Sequence, residues 1–162
     1  MLKNYAVAQT ITTYTITPSI TEFRGKYAFL SNFFHAPIIY QGRQYANNEA
    51  AFQAQKTICA RERLKFSMPY LTDPARAKVM GKKLELRTGW EHIKMQYMYE
   101  ICMSKFLQHA DLRAALLATG NCPLMENNTW GDRYWGMVDG FGENHLGLIL
   151  MDIRGKLKMD YM

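Results

Sequence analysis

Cysteine is scarce in this chain: Cys59, Cys102 and Cys122 are an odd number with no short spacing between any two. That excludes a disulfide framework and points to a reducing, cytoplasmic setting. The opening Met-Leu-Lys-Asn-Tyr lacks the apolar core of a secretory signal. No apolar run approaches the roughly 18 residues of a membrane span, so a membrane is not expected among the partners. His35, His92, His109 and His145 form no ligand pair on one helix face and the cysteines are scattered, which argues against zinc. Neither a metal nor any other cofactor is expected. Internal repeats, low-complexity tracts and splitting linkers are missing too, leaving one domain as the simplest organisation.

What is present suits a globular protein. A chain of 162 residues can bury about two thirds of its unfolded surface without staples. Lys and Arg outnumber Asp and Glu by 20 to 14, for a net charge of +6. The positive residues are spread out, which suits a basic surface, a phosphorylated small molecule or a nucleic acid equally. Aromatic residues make up 13%, enough for core packing with some left to stack on a base.

The run Gln9-Thr-Ile-Thr-Thr-Tyr-Thr-Ile-Thr17 is β-branched and predicts an edge strand ending at Pro18. Pro37 to Tyr40, Gln41-Gly42 and Arg43 to Ala46 predict a short hairpin with glycine in the turn. A helix is expected from Asn47 to about Ser67, and another from the Asp73-Pro74 start signal to about Glu85. Apolar residues Ile93, Tyr97, Met98, Ile101, Cys102 and Phe106 recur at helical spacing and predict a long core helix over 91–107. A short helix from Asp111 ends at Gly120, a strand-like stretch surrounds Leu124, and a last helix begins at Asn144. The expected fold class is therefore α+β, a predominantly helical single domain with a few short strands.

Two stretches carry chemistry. In Tyr45 to Lys56, a step of about 100° per residue puts Glu49, Gln53 and Lys56 on one stripe, with Phe52 beside it. A carboxylate, an amide and an amine then face the same way, either into solvent as ordinary surface groups or into a site. The loop Asn127-Asn-Thr-Trp-Gly-Asp-Arg-Tyr-Trp-Gly136 is too rich in glycine and turn formers for a helix. Asp132 there either caps a local turn or sits in an aromatic pocket suited to proton transfer. Ser31 and Asn32, between Phe29-Leu30 and Phe33-Phe34, form a turn or a polar tip presented to a ligand.

Phe29-Leu-Ser-Asn-Phe33, Glu49 with Gln53-Ala-Gln-Lys56, Gly89-Trp90, Lys105-Phe-Leu-Gln108, Leu124-Met-Glu126, Asp132-Arg-Tyr-Trp-Gly136 and Gly142-Glu-Asn-His-Leu-Gly147 follow one another in this order. In that order they resemble the NADAR or YbiA-like N-glycosidase family. The likeness runs from about Phe23 to Lys156, with residues 1–22 as an N-terminal extension, 23–157 as the domain and 158–162 as a tail. It implies a YbiA-like fold and hydrolysis of the bond between ribose C1′ and an exocyclic amine. Two substrate classes are implied: phosphoribosylamino-pyrimidine intermediates of riboflavin biosynthesis, and ADP-ribose on guanine in nucleic acid. The expected partner is thus a phosphorylated ribosyl or ADP-ribosyl substrate, free or carried on single-stranded nucleic acid. By position, Glu49, Lys56, Trp90 and Asp132 are implied to be catalytic, and Ser31, Asn32, Phe33, Gln53, Trp135, Gly136 and Asn144 to bind substrate. The chain departs from the family at Ala50, where a histidine often follows the glutamate. The competing expectation is a non-catalytic module that binds ADP-ribose or a modified base.

Overall fold

The computed structural model describes residues 18–160, so the strand expected before Pro18 lies outside the described residues. The expected hairpin is present: β1 (Ile38–Tyr40) pairs antiparallel with β2 (Arg43–Tyr45). Both turn residues, Gln41 and Gly42, have positive φ, at 48° and 73°, the left-handed pair that matches strand twist in a tight hairpin. The outer edge of β1 is closed by a side chain, since the Gln108 amide donates to Ile39 O at 2.9 Å and accepts from Ile39 N at 2.7 Å.

The long helix expected after the hairpin is two helices. α1 is Asn48–Ala54 and α2 is Ala60–Leu64. Thr57-Ile58 is a β-branched pair of low helix propensity, and the Thr57 hydroxyl accepts the Cys59 N–H at 3.2 Å, satisfying the backbone outside a helix. Lys56 therefore lies just past the end of α1. At the other end Asn47 is the N-cap, accepting the Ala50 N–H at 2.9 Å. α3 (Pro74–Gly81) starts at the Asp73 cap as expected but stops four residues short of Glu85.

α4 (Trp90–Gln108) is the axis of the core. Met98, Ile101, Cys102 and Phe106 are buried on it, and Ile93 and Tyr97 half-buried. It packs against α1, β1, α5 (Ala110–Ala118) and α6 (His145–Asp160). α6 buries Leu146, Ile149, Leu150, Ile153 and Leu157. The stretch around Leu124 makes only an isolated parallel bridge to Ile20. Among the described residues no helix is long and apolar enough to cross a membrane.

Asn144 stands at φ 52° before α6, and its side chain turns away from the helix end. It donates to Leu124 O at 2.9 Å and accepts the Glu126 N–H at 3.0 Å. Gly147 lets α6 approach this brace: a Cβ there would stand 2.2 Å from Leu124 O and 2.5 Å from Asn144 Nδ2. We expect Gly147→Ala to destabilise the protein by about 1–3 kcal/mol, the usual cost of overpacking. The check is a urea titration, with a lowered midpoint at unchanged slope.

Candidate active site

α1 is short and every residue in it is buried, including Asn48, Glu49 and Gln53. Polar side chains on a fully buried helix need partners or a cavity. Asn48 turns inward, donating to Asn32 Oδ1 at 3.3 Å. Glu49 and Gln53 turn the other way, into a cleft of about 670 Å³ whose walls are α1, α3, the turn at Ser31–Phe33 and the loop 126–135.

The stripe read from sequence is real and faces this cleft: Glu49, Gln53 and Lys56 all line it, as do Ser31, Asn32 and Phe33. Gln53 Nε2 donates to Glu49 Oε1 at 2.8 Å. The Gln53 amide lies on Gly81 of α3, where a Cβ would come within 1.8 Å of its Oε1. The Glu49 backbone N–H donates to Asn32 O at 3.0 Å, which ties the Ser31 turn to the head of α1. Burial raises the pKa of Glu49, and Asp132 adds to the rise; the Gln53 hydrogen bond and the charges of Lys78 and Lys56 oppose it. Lys56 is half-buried, with its backbone carbonyl held by the Arg87 N–H at 2.7 Å. Burial lowers its pKa below that of an ordinary lysine; Glu49 and Glu91 pull it back, and Lys78 and Lys82 push it further down. A carboxyl that resists ionisation and an amine that resists protonation thus share one wall.

Asp132 and Trp135 form the facing rim. Asp132 closes the local turn expected of it and also lines the cleft: its Oδ1 accepts the Tyr134 and Trp135 N–H groups at 3.1 and 2.9 Å. Asn128 holds this turn from behind, accepting from Asp132 N at 3.0 Å and donating to Asp132 O at 2.7 Å.

Three expected site residues stand behind the cleft. Trp90 is buried and packs on Phe52 at 5.2 Å and on Tyr97 at 6.0 Å; Phe52 in turn meets Trp135 edge-on at 5.4 Å. Trp90 is the base of an aromatic stack that backs the cleft wall. Asn144 is committed to the backbone of Leu124 and Glu126. Gly136 allows close approach of chains, since a Cβ would come within 2.3 Å of Glu126 O.

The sequence reading missed Lys78, Lys82, Glu126, Arg24 and Trp130, all of which line the cleft. Ala75, Lys78, Val79 and Lys82 have the i, i+3, i+4, i+7 spacing of one helix face, a signal that was available. Glu126 comes from an irregular segment, and its one signal was its place in the Leu124-Met-Glu126 motif; Arg24 had none. Beneath the Ser31 turn lies a fully buried lysine, Lys105, whose Nζ donates to Phe29 O at 2.8 Å and Ser31 O at 3.1 Å. Burial lowers its pKa to about 8. Among the described residues no group of His, Cys, Asp or Glu is arranged to hold a metal ion.

A small α+β domain with acids, amines and aromatic rings around one cleft has the outline of an enzyme. The NADAR domain model matches residues 21–158. N-glycosidase YbiA of Escherichia coli strain K12 is 39% identical over 137 residues, covering 83% of this chain and 84% of the relative. A riboflavin biosynthesis protein of Vibrio vulnificus is 35% identical over 135 residues, 82% of this chain and 36% of that longer protein. The NMR structure of the Escherichia coli protein YbiA superposes with a TM-score of 0.78 at 35% identity, covering 93% of this chain and 91% of that one. The chain belongs to the NADAR family and is an N-glycosidase.

Proposed function

We propose that the chain hydrolyses the bond between C1′ of a phosphorylated ribosyl group and an exocyclic amine, with the phosphoribosylamino-pyrimidine intermediates of riboflavin biosynthesis as its substrate class. The observation that carries this reading is that Lys56 and Glu49 line one cleft together with Lys78 and Lys82 of the adjoining helix α3. The lysines of α3 suit the phosphate. The riboflavin-related names of two relatives agree with that substrate class.

A glycosylamine is unlike an ordinary nucleoside, because the lone pair of its exocyclic nitrogen can expel the ring oxygen and leave an imine at C1′. Lys56, with its neutral amine favoured by burial, adds to that carbon. The base amine then departs with the bonding pair and a proton, leaving a Schiff base between Lys56 and the sugar. Water adds to C1′, the bond to Lys56 breaks, and the sugar and free lysine are restored. Glu49 moves protons to and from the attacking groups. The Ser31–Asn32 turn and Gln53 orient the sugar, and Trp135 offers an aromatic edge for the base.

A second reading, ADP-ribose on guanine of a nucleic acid, is favoured by the cleft's outer lip. Trp130 is 55% exposed there, with the Arg24 guanidinium 5.9 Å and the Lys78 ammonium 5.8 Å from its ring centre. A second base and a pyrophosphate would fit such a lip. The test gives one enzyme preparation both substrates and follows ribose 5-phosphate and ADP-ribose release. Ribose 5-phosphate is expected. ADP-ribose alone would shift the assignment to the nucleic-acid substrate, and neither product from folded protein would leave a binding module.

A further inference from the structure

Three carboxyl groups face the cleft: Glu49, Asp132 and Glu126. Two of them are engaged as acceptors, Glu49 Oε1 by the Gln53 amide and Asp132 Oδ1 by two backbone N–H groups. Glu126 differs, because its carboxyl makes no hydrogen bond or ion pair with a described residue while its backbone is fixed on both sides. Its N–H donates to Asn144 Oδ1 at 3.0 Å, and its carbonyl accepts the Met137 N–H at 2.9 Å. Gly136 lies flush against that carbonyl. A carboxyl whose backbone is held this firmly, without a partner among the described residues and lining a cleft, is placed to act on what enters.

We propose that Glu126 is the general acid of the cleft, giving its proton to the exocyclic nitrogen as the bond from C1′ to that nitrogen breaks. This rests on the N-glycosidase reading above and assigns one of its proton transfers to a particular residue. In the step, the bonding pair stays on nitrogen, the nitrogen takes the Glu126 proton, and the base leaves as a neutral amine. Glu126 is left as a carboxylate and recovers a proton from the water that next adds to C1′.

The surroundings keep that proton available. Burial raises the pKa of Glu126 to about 7; repulsion from Asp132 and, less strongly, from Glu49 adds to the rise, and Lys78 opposes it. The other charged groups lining the cleft are Arg24, Lys56 and Lys82. A general acid works best with a pKa near the working pH.

The test uses two substrates that share the ribosyl phosphate and differ in the amine, one a poor leaving group and one electron-poor. In the wild type, kcat/KM for the poor leaving group should fall as pH rises past about 7. Glu126→Gln should lower turnover of that substrate by about 10²-fold or more, and of the electron-poor one by about 10-fold or less, with the alkaline fall abolished. Glu126→Asp, which keeps an acid, should retain the alkaline fall at reduced turnover, and it carries the test if the glutamine variant does not fold. Equal losses on both substrates with the alkaline fall intact would overturn the assignment, as would near-normal turnover in Glu126→Gln. A wild-type enzyme that releases no sugar from either substrate would overturn the N-glycosidase reading itself, and this assignment with it.

Discussion

Replacing Lys56 by methionine is expected to lower turnover by about 10³-fold or more, towards the upper end of what one positioned side chain contributes. Methionine has a similar length and fits the half-buried position, so the fold should survive. The sharper comparison is Lys56→Arg, which keeps the charge and cannot form a Schiff base. Borohydride added during turnover should trap a covalent adduct on the wild type and on neither variant. An active arginine variant with no adduct on the wild type would sink the covalent route. The direction of the pKa shift adds a pH prediction. An amine whose pKa is lowered by burial is neutral at lower pH than an ordinary lysine, so the acid side of the pH profile should rise at lower pH than an ordinary lysine would give and vanish in Lys56→Met.

The second large effect is expected at Glu49. Glu49→Gln keeps an oxygen that can accept from Gln53 and leaves the backbone bond to Asn32 untouched. Turnover should nevertheless fall by about 10²-fold or more, because an amide neither takes nor gives the proton. Steady-state rates measured beside a thermal melt separate chemistry from folding. Near-normal rates in a folded Glu49→Gln protein would remove Glu49 from proton transfer.

The sequence was most legible where local chemistry decides. Gln41-Gly42 announced the hairpin, Asp73-Pro74 the start of α3, and the spacing from Ile93 to Phe106 the core helix. Helix ends were less legible. The chain leaves α1 after Ala54 because a threonine two residues beyond the cap captures a backbone N–H, and such local competition leaves a weak trace in the pattern. The Glu49, Gln53 and Lys56 stripe could be found because three residues on one short segment share an orientation. Whether it faced water or a cleft depended on α3, which arrives from elsewhere in the chain. Lys105, named in sequence only as part of a motif, lies fully buried under the Ser31 turn. Asn144 and Gly136 belong to the family's motifs, and their hydrogen bonding and close packing place them in the support of the loop.

The crowding of carboxyls in the cleft also bears on how readily the protein unfolds. A carboxyl whose pKa is higher in the folded chain than in the unfolded one makes folding less favourable wherever it is ionised. For Glu126 that loss begins as pH rises through its ordinary value of 4.5 and is complete above about 7. The cleft is thus a source of fragility at neutral pH and above. Glu126→Gln and Glu49→Gln should both melt at higher temperature than the wild type at pH 8, with the gap closing in acid. Under the proton-transfer roles proposed for Glu49 and Glu126, catalysis and thermal endurance draw on the same side chains in opposite directions, so selection for heat resistance alone would be expected to replace these carboxyls first.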